Sequence, residues 1–324
     1  MRPRTDLEEA LVRLGRELRD AARSAVGGFG AASPSAEGVT DVQYGVDVAT
    51  EIGLESRIQR CLRPWLPLRV LSEGLPAAGV VVGDGPPARR LVIDPIDGTR
   101  GLMHDKRSAW VLLGMANEHD PRLQTLESAV MVEIPTRLGG AGEILVATRG
   151  LGWSGENDAM PGVTGIGIEF RHSPRAGADL AHGFASVARF FPGMSTQLDT
   201  FTQEFFRRVE ALGLAPWGEV FEDQYVSNGG QMAALVMGRD RLVIDFRAIL
   251  GDPGRPLRSG HPYDLLGILV AEEAGCAICD RYGRPLDAPL DLMTRVPWVG
   301  YSSGPMRDRF APVVAEVLTD LIGG

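Results

Sequence analysis

An apolar run that ends in two acids, a glycine and a hydroxyl constrains this 324-residue chain more than any other feature. It reads Leu-Val-Ile-Asp-Pro-Ile-Asp-Gly-Thr from Leu91 to Thr99. The apolar part predicts a buried strand, and Pro95 favours extended backbone at Asp94. Gly98 and the following threonine predict a tight turn and a helix start, whose free N–H groups suit a phosphate. Two carboxylates at a strand end suit a hard cation better than they suit a core.

The same letters also make a plain turn, because Asp-Pro-x-Asp-Gly is good turn chemistry anywhere. Spacing excludes two rival sites. An EF-hand needs acids at alternate positions and a Glu at the twelfth, whereas Asp94 and Asp97 are three apart and Asp105 stands twelfth. The haloacid-dehalogenase phosphatases resemble the run in D-x-D-G-T, but here one more residue separates the acids. A nucleophilic Asp with a partner two residues on is therefore disfavoured.

Composition and charge exclude several classes of protein. A formal net charge of −9 disfavours nucleic-acid binding, because phosphate backbones are bound by basic surfaces. No run of 18 apolar residues occurs and the N-terminus lacks a signal-peptide core, so no membrane span or export is predicted. Three cysteines, Cys61, Cys276 and Cys279, are too few and too scattered for a disulfide framework. They fit the reducing cytoplasm, where we expect the protein to act.

Apolar periodicity predicts helices and strands in mixed order, which is typical of an α/β or α+β layered protein. Predicted helices span 7–25, 50–62, 200–212, 229–237 and 263–275. Predicted strands lie at 69–71, 80–82, 91–93, 110–116, 129–134, 143–148, 185–190, 242–246 and 277–280. The stretch Leu151–Arg171 is rich in glycine and turn residues and predicts a seam between halves. We therefore divide the chain into 1–150, which carries the acidic run, and 151–324.

Two further acids occupy comparable positions. Glu73 follows the short apolar segment Val70–Leu71, and Asp264 ends Gly-His-Pro-Tyr-Asp at the predicted start of an apolar helix. A carboxylate at a helix N-terminus is held by the positive end of the helix dipole. Taken alone, Asp264 could equally be a plain helix cap.

Together these segments resemble the inositol monophosphatase family of lithium-sensitive sugar phosphatases. The resemblance rests on the opening run, on Leu-Ser-Glu at Leu71–Glu73, on Gly260–Asp264 and on Glu-Ala-Gly at Glu273–Gly275. It implies an αβαβα sandwich of the inositol monophosphatase and fructose-bisphosphatase type, and a homodimer. It also implies Mg²⁺-dependent hydrolysis of a small phosphorylated metabolite, such as a sugar, polyol or nucleotide phosphate.

The resemblance assigns roles residue by residue. Two or three Mg²⁺ ions would be held by oxygens of Glu73, Asp94, Ile96 (through its carbonyl), Asp97 and Asp264. The same Glu73, Asp94 and Asp97, together with Thr99, form the implied catalytic set. The implied substrate contacts are Gly98, Thr99, Gly229, Gly230, Gln231 and Asp264. Mg²⁺ at these oxygens would polarise a water for attack on phosphorus, so that no protein nucleophile is needed.

Two departures from the family pattern affect catalysis. The family segment T-x-x-D, whose Asp bonds the Thr of D-G-T, is assigned to Thr50–Gly53, which places glycine at the acid position. Glu51 or Glu55 could substitute only if the backbone shifts. The family's paired Glu-Glu is reduced to Glu73-Gly74. These losses leave open an alternative function, a phosphate-ligand binding or regulatory protein with impaired hydrolysis.

A third departure concerns the substrate. The Glu that often recognises inositol before the last motif has no counterpart, since Pro256, Leu257 and Arg258 occupy that region. Inositol phosphate is therefore disfavoured. Arg247, Arg255 and Arg258 would suit a more acidic substrate, such as a sugar bisphosphate.

Overall fold

In the part of the chain that the structure describes, two mixed β-sheets alternate with three layers of helices. The computed structural model describes residues 2–26, 33–37, 42–159, 173–191, 193, 195–215, 218–252 and 259–323. Within these ranges the helices are α1 Asp6–Val26, α2 Gly45–Glu51, α3 Leu54–Cys61, α4 Thr99–Met103, α5 Thr196–Ala211, α6 Asn228–Val236, α7 Arg247–Leu250, α8 Ile268–Glu273 and α9 Gly304–Ile322. Short 3-10 turns lie at Arg63–Trp65, Leu123–Thr125 and Pro262–Leu265.

The strands fall into a seven-stranded sheet, a five-stranded sheet and a hairpin. Their bounds are β1 Pro34–Glu37, β2 Val42–Tyr44, β3 Leu68–Ser72, β4 Val80–Val82, β5 Arg89–Asp97, β6 Ala109–Asn117, β7 Leu126–Ile134, β8 Ala141–Thr148, β9 Gly152–Ala159, β10 Gly183–Val187, β11 Val220–Phe221, β12 Asp240–Asp245, β13 Ala277–Cys279 and β14 Trp298–Tyr301. The larger sheet has the order β4-β3-β5-β6-β7-β8-β9 and is antiparallel except for the pair β3–β5. The smaller has the order β11-β10-β12-β14-β13.

The central strands β5 to β8 of the large sheet are buried on both faces, as their nearly continuous apolar runs require. In β6, Val111 and Leu113 point to the core beneath α1, whereas Trp110 and Leu112 point to the opposite core. The apolar face of α1 packs on the first of these cores, because leucines at three- and four-residue spacing line one side of a helix.

The opposite core lies between the two sheets. It includes Met232 of α6 and Leu269 of α8, which pack with the large sheet on one side and with Trp298 of β14 on the other. Helices α5 and α9 cover the outer face of the small sheet, where Phe201 and Phe310 share a third core. The layers therefore run helix, sheet, helix, sheet, helix, and the predicted αβαβα architecture is confirmed.

Several predicted elements differ from the structure. The helix predicted over 50–62 is wrong as one element, because it is interrupted at Gly53, which has a φ of +75°. The helix predicted over 263–275 is a 3-10 turn followed by α8. Strand β9 lies in the supposed seam and pairs with β8, so the large sheet extends past residue 150. The division at 150 stays a prediction, and residues 160–172 lie outside the described ranges.

Two further predictions concerned the cysteines and membrane-spanning helices. Cys61, Cys276 and Cys279 are buried free thiols. Within the described ranges, every helix is too short or too polar to cross a lipid bilayer.

Candidate active site

A one-residue bulge brings the two acids of β5 to the same face of the sheet. Asp94 pairs with Leu112 and Asp97 with Trp110, so three steps along β5 match two along β6. Directly paired residues of neighbouring strands point to the same face. Leu112 and Trp110 share a face, and the extra residue therefore gives both carboxylates one direction. The acid spacing read from the sequence thus has a structural cause.

Asp94 and Asp97 line a pocket that is also lined by most of the other predicted site residues. All seven of the predicted metal, catalytic and phosphate residues line it, namely Glu73, Asp94, Ile96, Asp97, Gly98, Thr99 and Asp264. The remaining lining residues are Tyr44, Asp47, Arg100, Phe190, Phe191, Val226, Ser227, Asn228, Arg247, Ser259, His261 and Tyr263. Gly98 caps the N-terminus of α4 with a φ of +104°, a conformation that favours glycine.

Asp97 is held from the middle helical layer. Its Oδ2 accepts a hydrogen bond from Ser227 Oγ at 2.9 Å and another from the backbone N–H of Gly229. A Cβ on Gly229 would lie 2.6 Å from that oxygen, so only glycine permits this approach. The N-terminus of α6, where Ser227 is the cap, thus faces a carboxylate, as the helix dipole favours.

Thr99 has an acidic partner that the sequence assignment missed. Its hydroxyl lies 2.9 Å from Asp47 Oδ1 and 2.9 Å from the Ile96 carbonyl oxygen, and either can accept its hydrogen. The second oxygen of Asp47 accepts the backbone N–H of Tyr44 at 2.8 Å. The acid is therefore fixed in the first turn of α2 and directed at the D-G-T motif.

The prediction that Gly53 stands at the acid position is wrong. A Cβ built on Gly53 meets no described atom within 4 Å, and the residue forms the left-handed junction between α2 and α3. The tetrapeptide Tyr44–Asp47 provides the expected contact instead. A glycine that ends one helix and an acid three residues after a helix cap were both readable from the sequence. They would have placed the start of α2 near residue 45.

The reduced Glu73-Gly74 pair also has a structural explanation. Glu51 accepts hydrogen bonds from Ser72 Oγ at 2.8 Å and from the backbone N–H of Gly74 at 3.1 Å. A Cβ on Gly74 would lie 1.6 Å from a carboxylate oxygen of Glu51. A carboxylate from α2 thus fills the space beside Glu73 that a second glutamate side chain would enter.

Burial and mutual repulsion raise the pKa values of four acids that line the pocket. Burial raises the pKa of Glu73 to about 8, and the nearby negative charge of Asp264 adds to the effect. Burial, and then the charge of Asp97, raises the pKa of Asp94 well above its usual range, and burial raises that of Asp97 too. Burial also raises the pKa of Asp47 to about 6. A cation among these groups would relieve the repulsion.

The donor atoms fit a magnesium ion. Every proposed ligand is an oxygen, which suits Mg²⁺ better than zinc. Glu73 Oε1 is buried and has no hydrogen-bond partner among the described residues, so it is available to a cation. Across the same residues, no three acidic, histidine or cysteine side chains are already gathered as a metal-binding group. The proposed ligands nevertheless line one pocket.

Three predicted substrate contacts lie outside the pocket lining. Gly229 faces Asp97, and a Cβ on Gly230 would lie 2.2 Å from the ring of Tyr225. The side chain of Gln231 is fully buried in α6. These three residues let α6 pack closely against its neighbours. The pocket is lined instead by Ser227 and Asn228, which precede them.

Two arginines that line the pocket, Arg100 and Arg247, lie against aromatic rings. The Arg247 guanidinium lies 4.0 Å from the centroid of the Phe190 ring and forms a buried ion pair with Asp245. Arg100 lies 5.7 Å from the ring centroid of Phe191. Of the arginines expected to favour an acidic substrate, Arg247 lines the pocket. Arg255 and Arg258 lie outside the described residues, as do Pro256 and Leu257.

Comparison with known proteins places these features in a family. The sequence profile of the inositol monophosphatase family matches residues 70–317, which is more than half of the 324 residues. A search of curated proteins gave no match.

Solved structures show the same fold at low sequence identity. The IMPase of Thermotoga maritima is 18% identical with a TM-score of 0.63, and the match covers 98% of this chain and 100% of that one. The extragenic suppressor protein SuhB of Bartonella henselae is 16% identical with a TM-score of 0.65, covering 96% and 98%. An inositol monophosphatase of Zymomonas mobilis is 16% identical with a TM-score of 0.58, covering 96% and 99%.

Proposed function

Since the chain belongs to the inositol monophosphatase family, we propose that it is a Mg²⁺-dependent phosphomonoesterase of the cytoplasm. Its substrate would be a small sugar, polyol or nucleotide phosphate, hydrolysed by attack of water. Following the family resemblance, the active form would be a homodimer.

The observation that carries this proposal is the contact between Thr99 and Asp47. The binding-only alternative depended on a missing acid at Gly53, whereas Asp47 supplies that acid at 2.9 Å. A pocket that only held a phosphate would not need a hydroxyl aligned with a buried carboxylate. The contact therefore favours hydrolysis over binding alone.

Different residues of the chain would bind the metal ions, accept the proton and bind the phosphate. Glu73, Asp94, Asp97, Asp264 and the Ile96 carbonyl would hold the Mg²⁺ ions, which when bound supply Lewis acidity and neutralise negative charge. Thr99 can accept a hydrogen bond from the attacking water while it donates its own hydrogen to Asp47. The proton leaving the water would then pass towards Asp47, which acts as the general base through Thr99. Gly98 and Thr99 would cradle the phosphate.

The test is phosphate release from a panel of sugar, polyol, bisphosphate and nucleotide esters, with and without Mg²⁺. We expect turnover that requires Mg²⁺ and that falls at least about 100-fold in Asp94→Asn, because the variant loses a charged metal ligand. Asp84→Asn is the matched control, since Asp84 is exposed and outside the pocket lining. Calorimetry that showed Mg²⁺-assisted binding of an ester that stays intact would favour the binding protein instead.

A further inference from the structure

The side chain of Tyr225 links the segment before α6 to the start of β6. Its hydroxyl donates a hydrogen bond to the Ser108 carbonyl oxygen at 2.8 Å and accepts one from Trp110 Nε1 at 3.2 Å. The Ser108 hydroxyl lies 2.8 Å from the same phenolic oxygen and can donate a further bond to it. Burial raises the pKa of Tyr225 to about 12, so the phenol keeps its hydrogen at neutral pH. The hydroxyl therefore connects two segments that lie 117 positions apart in the sequence.

The ring of Tyr225 is fixed as well as its hydroxyl. A Cβ on Gly230 would lie 2.2 Å from a ring carbon, so the ring fills the space beside the first turn of α6. The Arg107 guanidinium lies 5.5 Å from the ring centroid, and Arg107 is itself paired with Asp223. The ring also packs against the core between the two sheets. These contacts leave the tyrosine little freedom to move.

Both segments that Tyr225 joins also contact Asp97. Ser227 follows Tyr225 by two residues and caps α6, and its backbone N–H donates to the Tyr225 carbonyl oxygen at 2.9 Å. Ser227 and Gly229 then donate the two hydrogen bonds to Asp97 that were described above. On the other side, Trp110 is the residue of β6 that pairs directly with Asp97. Tyr225 therefore ties together the strand and the helix that support this acid.

Groups that orient a metal ligand affect metal affinity without contacting the metal. Loss of a hydrogen bond to a ligating side chain typically weakens metal binding by about 10- to 100-fold. Ser227 and Gly229 would orient Asp97 in this way, and Tyr225 holds the segment that carries both of them. Without the Tyr225 hydroxyl, the buried Trp110 N–H would lose its acceptor, and the start of α6 would lose its attachment to β6.

We propose that Tyr225 is a positioning residue for the metal site, and that it acts by holding the N-terminus of α6 against Asp97. The inference rests on the proposed Mg²⁺-dependent function and adds to it a residue that lies outside the pocket lining. Phenylalanine at position 225 would keep the ring and its packing but lose every contact of the hydroxyl. Asp97 would then keep its donors in a looser arrangement.

The first test is calorimetric titration of Mg²⁺ into wild type and Tyr225→Phe, with no ester present. We expect the dissociation constant for Mg²⁺ to rise about tenfold in the variant, the lower end of the range because Tyr225 acts through Ser227 and Gly229. A merely structural role would lower the temperature of unfolding and leave the Mg²⁺ affinity of the folded protein unchanged. Equal dissociation constants in the two proteins would therefore overturn the proposal.

Tyr301→Phe is the matched control for this titration. It also removes a buried tyrosine hydroxyl, but that hydroxyl has no hydrogen-bond partner among the described residues and lies in the third core, beneath α5 and α9. The dissociation constant for Mg²⁺ should stay at the wild-type value. An equal rise in Tyr301→Phe would show that the loss is not specific to Tyr225 and would count against its positioning role.

Amide hydrogen exchange gives a second test that needs neither metal nor turnover. In metal-free Tyr225→Phe we expect the N–H groups of Gly229 and Gly230 to exchange about tenfold faster than in wild type, with unchanged exchange in α1. Unchanged exchange at both glycines, or equally faster exchange along the whole chain, would refute the role of Tyr225. Absence of both Mg²⁺ binding and ester hydrolysis in wild type would instead count against the proposed function, and the exchange rates would then judge Tyr225 alone.

Discussion

Replacing Asp47 with asparagine tests the contact on which the proposed mechanism depends. One carboxylate oxygen of Asp47 accepts the Thr99 hydroxyl at 2.9 Å and the other accepts the Tyr44 backbone N–H at 2.8 Å. Asparagine has the same shape but a single acceptor oxygen, so it can keep one of these contacts and must present an NH₂ group to the other. Because the Tyr44 N–H cannot accept a hydrogen bond, we expect the remaining oxygen to face Tyr44. Thr99 then loses the carboxylate that could take up a proton, although its hydroxyl can still donate to the Ile96 carbonyl.

The size of the effect follows from what is removed. A hydrogen bond to a charged group contributes about 1.5–3 kcal/mol, which corresponds to roughly a ten- to 150-fold change in rate. A positioned general base contributes about 10²–10⁴-fold. We therefore expect kcat to fall about 100-fold or more in Asp47→Asn, with KM changed by less than about threefold, since the proposed metal and phosphate groups are untouched. Steady-state phosphate release in saturating Mg²⁺ measures both constants, and thermal unfolding confirms an intact fold.

Gly53→Asp provides the contrasting variant, because it places an acid at the position assigned from sequence alone. The site lies at a helix junction with a φ of +75°, so an L-residue there costs about 1–2 kcal/mol of stability. Activity should remain within about twofold of wild type. If Gly53→Asp raised kcat severalfold while Asp47→Asn kept more than half of it, the assignment of Asp47 as the partner of Thr99 would be refuted.

Three further variants probe other contacts. Gly229→Ala would put a Cβ 2.6 Å from Asp97 Oδ2, so we expect kcat to fall at least about tenfold and a Mg²⁺ titration to shift to higher concentration; an unchanged titration would contradict this. Gly74→Glu would restore the family's glutamate pair but place its Cβ 1.6 Å from the Glu51 carboxylate, so denaturant unfolding should show a loss of about 1–3 kcal/mol and no gain in activity. Burial raises the pKa of Asp240 to about 7, so its contribution to stability is present below pH 4 and lost as the pH rises to 7. Asp240→Asn should therefore match wild type near pH 4 and exceed it at pH 8 by on the order of 4 kcal/mol; a pH-independent difference would argue against the raised pKa.

Much of the layered fold could be predicted because its signals are local. The leucine spacing of α1 and the apolar runs of β5 and β6 each reflect a buried face that a single element carries by itself. The site could be predicted where its residues adjoin such a strand, as Asp94 and Asp97 do. Strand β9 could not be predicted in this way, because its glycines and acids lack the apolar pattern of a buried strand and suit an edge strand that is only partly buried.

The partner of Thr99 was missed for a different reason. Asp47 and Thr99 lie 52 positions apart, and nothing in either segment alone indicates that they meet. Their contact depends on how α2 docks against the end of β5, and that docking depends on where α2 begins. A six-residue error in the position of the motif was enough to turn an intact site into an apparently defective one. Likewise, the small residues of α6 suggested substrate contacts. In the structure, Gly229 and Gly230 are small because Asp97 and Tyr225 leave no room for a Cβ at these positions.

The hydrogen bonds that the N-terminus of α6 donates to Asp97 have a consequence for the order in which the site is assembled during synthesis. The donors Ser227 and Gly229 follow Asp97 by 130 and 132 positions, so they leave the ribosome long after the acidic strand. A nascent chain that has completed β5 and β6 already carries Asp94 and Asp97 but has neither of these donors. If the proposed function holds, competence for metal and phosphate chemistry would therefore arrive late in synthesis, once the middle helical layer has closed over the sheet. Enzyme activity in this chain would report completed assembly rather than the mere presence of its acidic motif.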